Sequence, residues 1–201
     1  MTTDPGKVLS DDEIKAVKER AKNFEITSVT ADDIAVLETS KGTMKIKFFP
    51  DVAPKHCDNF KKLANSGFYD GTLFHRVIPN FMIQGGDINS RDGNPSNDGM
   101  GSPGWNVPAE FNKKKHEKGI LSMARSQDPN SAGSQFFICA TRTAHLDNNY
   151  TVFGEVIENL DVIDTIVNVP RDKRDKPLEP VRILKVRVYS GDEMKDASKV
   201  K

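Results

Sequence analysis

The stretch FHRVIPNFMIQGGD at residues 74–87 constrains the fold more than any other part of the chain. It combines one arginine (Arg76), one amide (Gln84) and six large apolar residues within fourteen positions. The Pro79-Asn80 pair predicts a kink between two strands, because proline cannot donate to a sheet ladder and asparagine tolerates turn geometry. Taken alone, these features fit two core strands whose arginine points into solvent as well as they fit a functional site.

Three later motifs carry a related signal. GILSMAR at residues 119–125 and GSQFFI at residues 133–138 are apolar runs joined by a polar loop, and LDNNYTVFGEV at residues 146–156 follows closely. Together with residues 74–87, these motifs resemble the cyclophilin family of peptidyl-prolyl cis/trans isomerases, in the family's order and at its approximate spacing. The resemblance covers roughly residues 34–191, and the pattern is closer to bacterial members than to the better-known eukaryotic ones.

Periodicity along the rest of the chain predicts short strands and two helices. IAVLETS and TMKIKFF flank the turn signal Lys41-Gly42 and predict a β-hairpin over residues 34–48. Apolar stripes predict helices over residues 51–66 and 159–167. We therefore expect an all-β closed barrel with helices at its ends, and the resemblance implies eight antiparallel strands capped by two α-helices.

Two connecting segments differ from these regular elements. Residues 89–106 form a long loop rich in Gly, Pro and Asn, which predicts a functional or mobile element within a compact domain. Trp105, near the end of this loop, is expected to pack against the body of the domain. The charged run at residues 113–118 is most simply interpreted as a solvated turn.

The chain is expected to have three parts. These are an N-terminal extension with a short helix at residues 1–33, an isomerase domain at residues 34–191 and a C-terminal tail at residues 192–201. The helix of the extension should begin after Ser10, because Glu13 stands three residues later and completes a capping box. Three alternatives stay open for this helix, which lies outside the resemblance: packing on the domain surface, docking of a partner, or disorder.

Composition argues against several classes of function. The 29 basic residues balance 29 acidic ones, so charge gives no reason to expect nucleic acid or an anionic membrane as a partner. No apolar run approaches the roughly eighteen residues of a membrane span, and the N-terminal residues have no apolar core of a secretory signal. Cys57 and Cys139 form no CxxC unit, which predicts free thiols in a reducing compartment and hence a cytoplasmic protein. The four histidines show no metal-ligand spacing, and we expect neither a metal nor a cofactor.

The resemblance assigns a role to each residue of an active site. Rotation about an X-Pro bond must cross a barrier of about 18–20 kcal/mol that comes from amide resonance, and it needs an apolar pocket beside one donor rather than a nucleophile. By resemblance, Arg76 is the catalytic donor, and Gln84 holds this arginine or the substrate backbone. The remaining substrate-binding residues implied are Phe81, Met82, Phe137 and Leu146 around the proline ring, Ala124, Arg125 and Gln135 along the substrate backbone, and His145 and Tyr150.

Three positions depart from the better-known eukaryotic members. His145 stands where they carry Trp, Tyr150 where they carry His, and Arg125 where they carry Asn. These changes leave the apolar floor of the pocket largely in place, but the absent tryptophan implies weak cyclosporin binding at most. The expected partners are proline-containing peptides and unfolded proteins, with no nucleic acid and no membrane, and the protein is expected to be a monomer.

A rival hypothesis is a proline-peptide binding module in which turnover is incidental. Arg76 favours the enzyme, because a module that only binds would not need a positive charge beside a proline ring.

Overall fold

Eight antiparallel strands form one curled sheet, which confirms the expected all-β fold class. The computed structural model describes residues 4–198. The strands follow one another in the hydrogen-bonded order β3-β4-β6-β5-β7-β2-β1-β8. Their bounds are β1 Ile34–Thr39, β2 Gly42–Phe48, β3 Arg76–Ile78, β4 Met82–Gly85, β5 Ile120–Met123, β6 Phe136–Cys139, β7 Val152–Glu158 and β8 Ile183–Tyr189.

The two ends of the sheet are brought together by the residues that precede β3. The amides of Gly71 and Phe74 donate to the carbonyls of Ile183 and Val181, at 2.7 and 2.9 Å. The amide of Ile183 donates in turn to the carbonyl of Thr72 at 2.8 Å. These bonds satisfy backbone groups that would otherwise form an open edge, so the curled sheet closes at this point.

Strands β5 and β6 are buried on both faces, which accounts for their largely apolar sequences, with Ser122 as the one polar residue. Side chains alternate along a strand, so Phe136 and Ile138 point into the main core while Phe137 and Cys139 join a second apolar cluster. This second cluster lies on the outer face of the sheet, and Leu146 from a later turn packs against it. This part of the outer face is therefore covered by a packed apolar cluster of its own.

Four α-helices flank the sheet within the described residues: α1 Asp11–Lys22, α2 Pro54–Asn65, α3 Asp161–Val167 and α4 Gly191–Ser198. Helices α2 and α3 are the two helices that the apolar stripes predict. Helix α2 begins three residues later than expected, and α3 begins two residues later. Helix α4 begins where only a tail was expected. None of these helices is both long and apolar enough to cross a bilayer.

Helix α1 packs on the domain, which is the first of the three alternatives for the N-terminal extension. Ser10 accepts from the amide of Glu13 at 3.3 Å and donates its own amide to the Glu13 carboxylate at 3.0 Å, so the predicted capping box forms. Ile14, Val17 and Ala21 are buried in the same core cluster as the sheet interior.

The charged run at residues 113–118 is not a simple solvated turn, because His116 within it is fully buried. Its Nδ1 lies 3.1 Å from the Asp147 carboxylate and its Nε2 lies 3.0 Å from the Ser122 hydroxyl. The prediction was wrong at this position because both polar partners lie on other elements and a local pattern cannot reveal them.

Helix α2 takes its N-terminal cap from a residue far along the chain. Ala53 supplies no capping side chain. The Glu110 carboxylate instead accepts from the amides of Lys55 and His56, at 3.1 and 3.0 Å, and from His56 Nδ1 at 2.6 Å. A carboxylate at a helix N-terminus also interacts favourably with the helix dipole.

We expect Glu110→Ala to lower the free energy of unfolding by about 1–3 kcal/mol, because it removes the cap and leaves buried donors unpaired. Chemical denaturation measures this loss. Glu179→Ala is the matched control, since Glu179 is exposed and its loss should cost no more than about 0.5 kcal/mol. An equal effect of the two substitutions would show that Glu110 does not cap the helix.

Candidate active site

Strand β4 lies between β3 and β6, and its register places three of the predicted site residues in one row. Arg76 pairs with Gln84 across β3 and β4, and Gln84 pairs with Phe137 across β4 and β6. The row continues from Phe137 to Ser122 on β5. Residues that lie directly opposite in an antiparallel pair project from the same face, so the row collects side chains that are distant in sequence.

A cavity of about 190 Å³ opens on this row. Nine of the predicted site residues line it: Arg76, Phe81, Met82, Gln84, Ala124, Arg125, Phe137, Leu146 and Tyr150.

The floor of the cavity is apolar and rigidly packed. Met82, Phe137 and Leu146 are at most 6% exposed. The ring of Tyr150 meets Phe137 edge-on, with centroids 5.9 Å apart. His145 does not line the cavity but packs behind Phe81, with ring centroids 5.6 Å apart. It therefore supports one wall from the solvent side.

Arg125 is fixed against the same wall by two kinds of contact. Its guanidinium lies 4.5 Å from the centroid of the Tyr150 ring, which is a favourable cation–π distance. Its Nε and Nη2 donate to the carbonyl of Asn149 at 3.2 and 2.9 Å. Arg125 and Tyr150, two of the predicted site residues, therefore form a contacting pair.

Arg76 stands at the exposed rim and is oriented by a chain of amides. Its Nη1 donates to Gln84 Oε1 at 3.4 Å, and Gln84 Nε2 donates to Gln135 Oε1 at 3.1 Å. Gln135 Nε2 then donates to the carbonyls of Gly99 and Gly101, at 2.9 and 3.0 Å. No carboxylate among the described side chains, those of residues 4–194, forms an ion pair with Arg76, so none of them neutralises its charge.

A second cavity, of about 300 Å³, adjoins the first through Gln84, Ala124 and Arg125. Gln135, the remaining predicted site residue, lies here rather than in the first cavity. Sequence reasoning missed most of the other lining residues, which come from two loops: Gly99, Met100, Gly101, Ser102, Ser126, Ser131, Gly133 and Ser134.

The loop at residues 89–106 is anchored beside this second cavity by Asp87. The carboxylate of Asp87 is fully buried and accepts from the amides of Asn89 and Gly99. A Cβ atom on Gly101 would lie only 1.9 Å from Asp87 Oδ1, so no other residue fits there. Burial raises the pKa of Asp87, while the two amide donors oppose that rise. The sequence feature that could have revealed this anchor is the position of Asp87 directly after the Gly85-Gly86 pair.

A buried Ser-His-Asp arrangement lies behind the pocket. The His116 ring stacks on Phe137 at 6.0 Å and 14°, while Ser122 and Asp147 hold its two nitrogens. Contact with the Arg142 guanidinium keeps the pKa of Asp147 well below its usual range. Distances alone would suit a nucleophilic triad, but Ser122 and His116 are 0% exposed and no substrate can reach them. The arrangement instead holds Phe137 in place.

The matches to known proteins agree with this geometry. The family model for cyclophilin type peptidyl-prolyl cis-trans isomerases matches residues 34–188. A peptidyl-prolyl cis-trans isomerase of Synechococcus elongatus is 46% identical over 139 residues, covering 68% of this chain and 90% of its own. Peptidyl-prolyl cis-trans isomerase-like 1 of Neurospora crassa is 42% identical over 171 residues, which cover 82% of this chain and 98% of that protein.

Solved structures show the same relationship. A Cryptosporidium parvum cyclophilin, crystallised in the presence of the dipeptide Ala-Pro, superposes with a TM-score of 0.71 at 35% identity. The match covers 78% of this chain and 99% of that one. The chain belongs to the cyclophilin family. Its activity is that of a peptidyl-prolyl cis-trans isomerase.

Three buried histidines predict that the fold loses stability in mild acid. Burial lowers the pKa of His56, His75 and His116 below the ordinary imidazole value. The unfolded chain therefore binds protons more readily than the folded protein. The stability that the neutral buried histidines contribute is fully present above about pH 6.5, and it is lost as the pH falls through their folded-state pKa. The raised pKa of Asp87 has the opposite effect on stability as the pH falls, but this effect belongs to a pH range nearer that of ordinary carboxyl groups.

Scanning calorimetry should show the melting temperature falling between about pH 7 and about pH 5. His75→Gln should make the melting temperature depend less steeply on pH, because the substitution removes a proton-binding group. It breaks no hydrogen bond, since neither ring nitrogen of His75 has a hydrogen-bond partner. A melting temperature that rises toward acid would contradict the assignment, as would an unchanged slope in the variant.

Proposed function

We propose that Arg76 is the catalytic donor and that the 190 Å³ cavity holds the substrate's proline ring. The observation that carries this proposal is an un-neutralised guanidinium at the rim of a rigid apolar floor. A guanidinium beside an apolar floor suits the reaction, because the substrate's proline ring needs desolvated walls while its imide nitrogen needs a directed hydrogen-bond donor.

The donor acts on the twisted amide. Rotation removes the nitrogen lone pair from conjugation, and the lone pair then becomes an acceptor that the planar amide does not offer. Arg76 therefore gains a hydrogen bond mainly in the transition state, and an interaction of this kind raises kcat rather than only lowering KM. Gln84 and Gln135 keep the guanidinium oriented before the substrate arrives.

The second cavity takes the peptide backbone on one side of the proline. Gln84, Ala124 and Arg125 border both cavities, so an extended chain can pass from one to the other without leaving the surface. In this proposal Ala124 and Arg125 contact that backbone beside Gln135, and Tyr150 and His145 support the walls of the proline pocket.

The substrates proposed are proline-containing peptides and unfolded proteins, whose folding the enzyme assists. Burying about three CH₂ groups of a proline ring yields roughly 2–3 kcal/mol, less than the roughly 4 kcal/mol of a millimolar complex. Binding is therefore weak, which suits flexible clients of many sequences. The Ala-Pro dipeptide present with the Cryptosporidium relative supports this substrate class.

Other features of the proposal follow from particular residues. Cys57 and Cys139 are buried free thiols, which supports a reducing, cytoplasmic location. His145 offers less aromatic surface than the tryptophan it replaces, which supports weak cyclosporin binding. We also propose a monomer whose isomerase domain spans residues 34–191, with residues 1–33 as an extension and residues 192–201 as a tail.

Arg76→Ala should lower kcat/KM by roughly 10²–10³, the usual effect of removing a preorganised donor, with KM and melting temperature little changed. Arg76→Lys should recover only part of the activity, because an ammonium lacks the planar fork. Phe137→Ala should differ by losing both substrate binding and stability through a cavity. A protease-coupled or NMR exchange assay on an Ala-Pro peptide measures these effects.

The result that would refute the donor role is a folded Arg76→Ala variant that keeps more than about a third of wild-type activity, because the loss of a preorganised donor typically costs roughly 10²–10³ in rate. The pocket would then act by shape and desolvation alone.

A further inference from the structure

A groove of about 510 Å³ lies between α1 and the end of the 89–106 loop. Helix α1 precedes residue 34, so one wall of this groove comes from outside the region that the family model matches. Its lining residues are Lys15, Lys18, Glu19, Lys22, Lys62, Pro103, Gly104 and Trp105.

The groove concentrates positive charge that the protein does not neutralise. Lys15, Lys18 and Lys22 follow one another at helical spacing, so they share one face of α1. Lys62 approaches from α2. In the described part of the chain none of these four lysines forms an ion pair, whereas six other lysines do.

The one carboxylate in the groove is engaged elsewhere. Glu19 Oε1 accepts from the side-chain amide of Asn23 at 2.8 Å. Four ammonium groups against one carboxylate leave a local excess of positive charge in a chain with 29 basic and 29 acidic residues. Like charges at this spacing repel one another, and an anionic partner removes that repulsion.

Trp105 gives the groove a fixed apolar wall. Its Nε1 donates to Asn59 Oδ1 at 2.8 Å, and Asn59 Nδ2 donates to the carbonyl of Gly133 at 2.8 Å. The indole is half-buried and oriented by these bonds, and the Lys62 ammonium lies 5.8 Å from the ring centroid. Tryptophan is enriched among the residues that contribute most to protein–protein binding.

We propose that this groove binds an acidic segment of a protein partner, with its carboxylates on the lysines and an aliphatic side chain against Trp105. Single-stranded nucleic acid is the weaker alternative, because it needs several stacking surfaces and the groove has one indole and no arginine. The chain's own last ten residues, DEMKDASKVK, carry three acids and three lysines, so they offer no complementary charge.

The groove also adjoins the catalytic region through one loop. Gly99 to Ser102 line the cavity beside the active site, and Pro103 to Trp105 line the groove. A client held by an acidic segment would present its prolines at raised effective concentration, a consequence that rests on the proposed function. The docking itself does not depend on catalysis.

Trp105 is the only tryptophan of the chain, so its fluorescence reports on the groove directly. The probe is a blocked hexapeptide of four glutamates and two leucines without proline. We expect a saturable change in fluorescence that weakens with added salt, and no change with the matched peptide of four glutamines and two leucines.

Matched triple variants test the location of the site. Lys15→Gln with Lys18→Gln and Lys22→Gln should weaken binding about tenfold, because each exposed pair contributes modestly. The control removes three exposed lysines outside the groove, Lys41, Lys113 and Lys173, and should change the affinity by no more than about twofold. Melting curves confirm that both variants are folded, and replacing the same three groove lysines by Glu should transfer binding to a lysine-leucine hexapeptide.

Three results would overturn the proposal: no saturable change with the wild-type protein, equal weakening in both triple variants, or tighter binding of an oligouridylate of equal charge. Failure here is distinguishable from failure of the proposed catalytic role. The groove variant should keep its turnover of a short Ala-Pro peptide, and Arg76→Ala should still bind the glutamate peptide with wild-type affinity.

Discussion

The register of β4 between β3 and β6 is the constraint on which the active site depends. It sets Arg76 opposite Gln84 and Gln84 opposite Phe137, so the proposed donor, the amide bonded to it and the proposed pocket wall project from one face. A slip of one residue would turn all of these side chains to the other face of the sheet. The left-handed backbone at Asn80, with φ 59°, allows the tight turn that fixes this register.

The rest of the structure holds that row rigid. The outer face of β4, β5 and β6 carries its own apolar cluster, so Phe137 is packed by Leu146 and Val152 rather than exposed. Behind it, His116 is held by partners on two further elements. Rigid packing matters in the proposed mechanism because the donor and the pocket must keep a fixed relation, and a loose pocket would bind the planar and the twisted amide alike.

The sequence predicted the parts of the fold that are encoded locally. The turn at Pro79-Asn80, the hairpin and both stripe-bearing helices lie within single stretches. The motif resemblance proposed eleven site residues, and nine of them line one cavity. What it missed depends on contacts over long sequence distances. Glu110 caps a helix that begins at Pro54, and Asp87 anchors a glycine twelve positions away. Burial of His116 depends likewise on Asp147, and no local period records such pairs.

The central claim is that Gln84 serves the reaction by orienting Arg76. A double-mutant cycle of kcat/KM tests it most directly, using Arg76→Ala, Gln84→Ala and the combined variant on an Ala-Pro peptide. Gln84→Ala alone should cost about tenfold, because hydrogen bonds to a charged group are worth roughly 1.5–3 kcal/mol. If Gln84 acts through Arg76, the combined variant should lose no more than Arg76→Ala alone, within about twofold. Losses that multiply in the combined variant would contradict the claim and show that the two residues act independently on the substrate.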